Sequence, residues 1–119
     1  MEERRRVVER YFVAMRRGAA AEEELLELFA EDAVYEEPFS GVRRTSVGTH
    51  EIQAALQQGW ESPLPDLELT VRRIDLDGDV VRSEWTCESP ALDGPIHGHD
   101  LYTIRSGRIA RLEVYLDET

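Results

Sequence analysis

Around Pro63 and Pro65 the hydrophobic pattern of the chain changes period. From Glu2 to Arg17, Val7, Val8, Tyr11, Phe12 and Met15 recur at helical spacing, and Gly18 is a natural stop. After Pro65, Leu67, Leu69 and Val71 alternate with polar residues, which is the spacing of a half-buried strand. A chain that keeps its helical stripes in the first half and its alternation in the second must lay helices on one face of a sheet. The fold class is therefore α+β.

The remaining elements follow the same logic. A second helix is expected from about Ala20 to Ala30, with its glutamates in the first turns, where the helix dipole favours negative charge. Ala33 to Glu37 reads as a short strand closed by Pro38. Gly41 to Gly48 reads as a polar loop, and Thr49 as the N-cap of a third helix ending near Gly59. Asp77-Gly78 marks one hairpin and Ser106-Gly107 a second, with Val80–Cys87, Ile96–Arg105 and Arg108–Asp117 as strands. Three helices on a strongly bent, mostly antiparallel sheet leave a cone-shaped hollow suited to a small apolar ligand.

Length and composition narrow the function. The 119 residues make one domain, spanning 1–119, with 41% hydrophobic and 33% charged residues. A net charge of −11 argues against nucleic acid and anionic membranes as partners. Arg4-Arg5-Arg6 reads as the solvated face of a first helical turn. No apolar run spans a bilayer or forms a signal h-region, so a cytoplasmic location is expected. The single Cys87 excludes an internal disulfide and a cysteine zinc site, and reads as a small core residue.

Three residues fall on inward faces yet carry acidic or phenolic groups. Tyr11 lies on the apolar stripe of the first helix. Glu37 shares a strand face with Tyr35, and Asp100 shares one with Tyr102. A carboxyl group on such a face is costly unless paired, hydrogen-bonded or protonated, which makes it a candidate for chemistry. Plainer readings stand beside these: a core tyrosine, a solvated strand end and a loop cap. His97 and His99 form an H-x-H pair, but alternation turns both away from Asp100, so no metal site is expected. Trp60, Trp85 and Tyr115 are the large aromatics placed to meet a ligand, and Trp85 could equally be core.

Phe29-Ala30-Glu31-Asp32-Ala33-Val34-Tyr35-Glu36-Glu37-Pro38-Phe39, with Gly48 and a helix behind it, resembles the steroid isomerases of the nuclear transport factor 2-like superfamily. That superfamily also holds the SnoaL-like polyketide cyclases. The resemblance runs to the last strand, Arg108 to Tyr115. It implies a cystatin-like cone, a homodimer paired through the backs of its sheets, no cofactor, and a small hydrophobic substrate. It implies Glu37 as general base, with Tyr11 and Asp100 as donors to an oxyanion. That is the logic of the ketosteroid isomerase site. Tyr35, Phe39, Leu56, Trp60, Trp85, Tyr102 and Tyr115 are the expected ligand contacts. The chain departs from the isomerases in having glutamate for aspartate as base, a change that moves the carboxylate by about a bond length. Misplacement of roughly 1 Å can cost on the order of 100-fold in rate. Phe29 and Leu56 stand where some isomerases carry supporting tyrosines. Epoxide hydrolases of the same fold use an asparagine and an arginine; this chain has no asparagine, and Gly98 stands where the arginine is wanted. The resulting expectation is proton transfer beside a carbonyl, with a non-catalytic binding module as the alternative.

Overall fold

The structure is a computed structural model that describes residues 2–117. The first helix, α1 (Glu3–Arg17), buries Val7, Val8, Tyr11 and Phe12 along one stripe. The Glu2 side chain accepts the amide of Arg4 at its start, and at its end Gly18, at φ 64°, donates its amide to Ala14 and Met15. That positive φ is the reason for a glycine there.

The second helix is shorter than its periodicity suggests. A 3-10 turn over Gly18–Ala21 leads into α2 (Glu22–Glu27), which stops because the chain is taken over by the sheet. Leu28 already accepts the amide of Ile109 at 2.7 Å, and β1 begins at Phe29 and runs to Glu37. The strand is therefore four residues longer at its start than Ala33–Glu37. The loop expected over Gly41–Gly48 contains a further strand, β2 (Arg44–Val47), which pairs with β1 and has no apolar alternation of its own. The third helix, α3 (Gly48–Trp60), is capped at Val47 rather than Thr49, with the Glu51 carboxylate accepting the Val47 amide at 2.8 Å.

Four longer strands follow: β3 (Glu68–Asp77), β4 (Val80–Glu88), β5 (Ile96–Arg105) and β6 (Arg108–Leu116). The sheet order is β2-β1-β6-β5-β4-β3, and every pair is antiparallel except β1 with β6. Irregularities in pairing near Phe29–Val34, Val71–Arg73 and Thr103–Ile104 bend the sheet. α1 and α3 cover its inner face, where Tyr102, Leu112, Val81 and Ile109 are sealed against Val8, Leu25 and Ile52. Among the described residues no helix is long and apolar enough to cross a membrane.

Candidate functional site

Register across the sheet lines up the inward side chains in rows. Tyr35 pairs with Leu112, Leu112 with Tyr102, and Tyr102 with Val81. One step of two residues further along, Asp100 pairs with both Val114 and Ser83, and Glu37 ends β1 level with Val114. Strands lie roughly 4.8 Å apart, so Glu37 and Asp100 stand about 10 Å apart on one face with Val114 between them. The next row pairs Trp85 with Gly98. A band of polar groups thus crosses an apolar wall.

Asp100 is 2% exposed, and both of its oxygens are engaged. The Trp85 indole N–H donates to Oδ1 at 2.9 Å. The Tyr102 hydroxyl donates to Oδ2 at 2.7 Å, and Ser83 to the same oxygen at 3.3 Å. The Ser83 and Tyr102 hydroxyls are also 3.0 Å apart, closing a ring of three polar groups. Burial pushes the Asp100 carboxyl up to about 6, against the pull of these donors and of nearby His99. Gly98 makes the indole contact possible: a Cβ there would lie 2.2 Å from the Trp85 ring.

Glu37 is 1% exposed and also engaged at both oxygens. The Phe39 amide donates to Oε1 at 2.8 Å, and the Arg44 guanidinium to Oε2 at 2.7 Å. Arg44 reaches in from β2 and also donates to Gln58 on α3, which ties strand and helix together at the base. A carboxylate has about four lone-pair sites, so two remain for a substrate proton.

Tyr11 comes down from α1 onto the Tyr35–Tyr102 row. Its ring meets Tyr102 edge-on at 5.7 Å and Phe29 at 6.4 Å, and Phe29 in turn meets Tyr35 at 6.3 Å. Burial first, then the neighbouring Tyr35 and Asp100, hold the Tyr11 hydroxyl well above the ordinary phenol range. It is a neutral donor.

The other expected contacts divide. Leu56 is buried on the inner face of α3, and Tyr102 belongs to the Asp100 ring. Trp85 lies on the inner face, but its polar end is spent on Asp100. Trp60 ends α3 beside Gly18, its Nε1 3.7 Å from where a Gly18 Cβ would be. Phe39 is 59% exposed, because the chain turns outward after Pro38. Tyr115 lies on the opposite face of the sheet, since alternation along β6 turns Leu112 and Val114 inward; it stacks on His99 at 5.0 Å and carries the Arg43 guanidinium at 4.2 Å. His99 bonds Asp117 and His97 bonds Thr86 on that same outer face. Cys87 is half-buried, and burial pushes its thiol up, away from a nucleophile's range. A cleft of about 780 Å³ opens elsewhere, between α1 and the β5–β6 turn, and takes in none of these residues.

Ser83, Arg44 and Gln58 were not among the residues singled out from sequence. Ser83 becomes readable once β4 is paired with β5, because register then sets it opposite Asp100. Arg44 and Gln58 give no such signal, since β2 carries no strand pattern.

A bent mixed sheet wrapped on two long helices, with a polar band across its inner face, defines the nuclear transport factor 2-like class. Solved structures with this fold include a candidate ketosteroid isomerase from Kribbella flavida, 26% identical to this chain. The match covers 98% of this chain and 79% of that one, with a TM-score of 0.76. A candidate polyketide cyclase from Sinorhizobium meliloti is 23% identical over 96% of this chain and 99% of that one, with a TM-score of 0.76. TerC, crystallised with polyporic acid, is 20% identical over 98% and 92%, with a TM-score of 0.78. A search of curated protein sequences gives no significant match. The family model for the SnoaL-like domain matches residues 8–112, and the chain belongs to that family.

Proposed function

We propose that the protein is an isomerase- or cyclase-type enzyme that moves a proton next to a carbonyl of a hydrophobic substrate. The observation that carries this reading is the pair of buried carboxyls, Glu37 and Asp100, on one inner face in unlike settings. Glu37 is the anion of an ion pair with Arg44, whereas Asp100 sits among neutral donors and is pushed up to about 6. One carboxyl paired with a guanidinium and another held among neutral donors are suited to separate acid and base work. In the reaction, Glu37 takes a proton from the carbon beside the carbonyl. The C–H electron pair moves into the new C=C bond and the carbonyl oxygen becomes an oxyanion. Tyr11 donates to that oxygen, and the Asp100 ring supports the charge. Return of the proton from Glu37 to another carbon restores a carbonyl product.

A second reading, a non-catalytic binding module, is favoured by one observation: both Glu37 oxygens already hold protein donors. Proton exchange separates the two. A panel of cyclic enones and hydroxyquinones in deuterated water should show protein-dependent exchange of the α-protons. Glu37→Gln should lower it by on the order of 100-fold or more. Binding of the panel with no exchange, or exchange unchanged in Glu37→Gln, would remove the enzymatic reading in favour of the module.

A further inference from the structure

We propose that Tyr35 is a second ligand-facing hydroxyl, which together with Tyr11 grips the oxygen of a phenolate or enolate. The inference rests on the reading above for the place of the ligand, and on separate geometry for Tyr35 itself. Tyr35 is 3% exposed, yet its hydroxyl has no hydrogen-bond partner among the described residues, and the same holds for Tyr11. Every fully sealed polar side-chain atom among the described residues does have a partner. The two unpaired phenol oxygens therefore border space that a water-sized probe reaches, inside an otherwise closed wall. A hydroxyl at the edge of such space is paired by whatever enters it, and an anionic ligand oxygen gains more from it than water does.

The two phenols belong to one aromatic cluster, and Tyr35 is near enough to act electrostatically on the Tyr11 hydroxyl. Phe29 stands between them, meeting each ring edge-on at 6.4 and 6.3 Å. Tyr35 lies in the row of Leu112 and Tyr102, two residues before Glu37 on the same face, and Tyr11 packs on Tyr102. Burial, then Glu37 and Asp100, raise the Tyr35 hydroxyl, with Arg44 opposing, so it keeps its proton and donates. By contrast the Asp100 oxygens already hold Trp85, Tyr102 and Ser83, which leaves the phenols as the free donors. Phe29, Leu112 and Val114 supply apolar surroundings for a planar ring. The ligand class is a flat aryl or enone molecule whose oxygen becomes anionic.

The test uses 4-nitrophenol, whose anion absorbs visible light, and 4-nitroanisole, which lacks an ionisable oxygen, against the wild type, Tyr35→Phe and Tyr11→Phe. Each phenol should be worth on the order of 10- to 100-fold in affinity for the 4-nitrophenolate anion. Affinity for 4-nitroanisole should be the same in all three proteins. Because its hydroxyl has no partner among the described residues, Tyr35→Phe should keep or raise the melting temperature. Equal loss of both probes, an unchanged 4-nitrophenolate affinity, or a lowered melting temperature each overturns the role of Tyr35. Loss of α-proton exchange without loss of Tyr35-dependent binding removes the enzymatic reading and leaves this inference standing.

Discussion

Asp100 shows how one side chain changes character with its surroundings. Its ordinary value is 3.8 and burial raises it to about 6. The folded protein therefore holds this proton more tightly than the unfolded chain. The associated stability is fully present below about pH 4 and is lost as pH rises through about 6. A shift of roughly two units corresponds to about 2–3 kcal/mol. Asp100→Asn removes that titration, so urea melts at pH 4, 5.5 and 7 should show wild type losing about that much relative to the variant. A constant difference across the three pH values would mean that the carboxyl is already ionised at pH 4. A carbon-13 titration of the Asp100 carboxyl gives the same midpoint directly. The residue identities at this scale were legible early: alternation alone puts Asp100 and Glu37 on inward faces. Their partners were not, because Trp85, Ser83 and Arg44 arrive from other strands.

At the scale of an element, β5 depends on the absence of a side chain. Gly98 faces Trp85 across the β4–β5 ladder, and the indole occupies the volume where a Cβ would stand. Gly98→Ala should force the ring away from Asp100, at a cost of about 1–3 kcal/mol for overpacking. The Trp85 indole N–H resonance should shift, while that of Trp60 stays in place. A native melting temperature with an unmoved Trp85 resonance would show that the ring lies elsewhere. In the H-G-H-D run alternation already turns both histidines away from Asp100, and register adds the gap at Gly98 that takes the Trp85 indole. The same scale explains the two segments where the structure departs from local pattern. Leu28 to Ala30 carry helix-like leucine and alanine, but β6 takes over there, with the Ile109 amide donating to Leu28 and Ile109 pairing with Phe29. Arg44 to Val47 has no strand pattern and is a strand only because β1 offers an edge.

For the whole molecule, the exposed edge of the sheet is managed by α1. Arg4, Arg5 and Arg16 donate to the backbone carbonyls of Gly78, Ile74 and Leu69, each at 2.9 Å. The basic start of the helix, expected to be a solvated face, is in part a row of clamps along β3 and its turn. Unpaired edge carbonyls are templates for pairing with another chain, so covering them limits self-association. Replacing Arg5 and Arg16 by Ala makes an already acidic chain more acidic by two charges, which by itself opposes association. Light scattering over a concentration series should nevertheless show larger species than the wild type, with a loss of about 1–2 kcal/mol in stability. Scattering and stability identical to wild type would mean that these bonds do not guard the edge.

The sequence by itself determined the α+β class, the inward faces of α1, β1 and β5, and the two tight turns of the long hairpins. These are written in local period and turn chemistry, which need no knowledge of distant neighbours. The tertiary structure alone decided the mixed topology, the extra strand β2, and the full set of bonds around Glu37 and Asp100. Among the described residues it also left the Tyr11 and Tyr35 hydroxyls without hydrogen-bond partners. Hydrogen-bond partners across strands depend on register, and register depends on pairing between segments up to about 80 residues apart, such as β1 with β6. No local window of the chain contains that information.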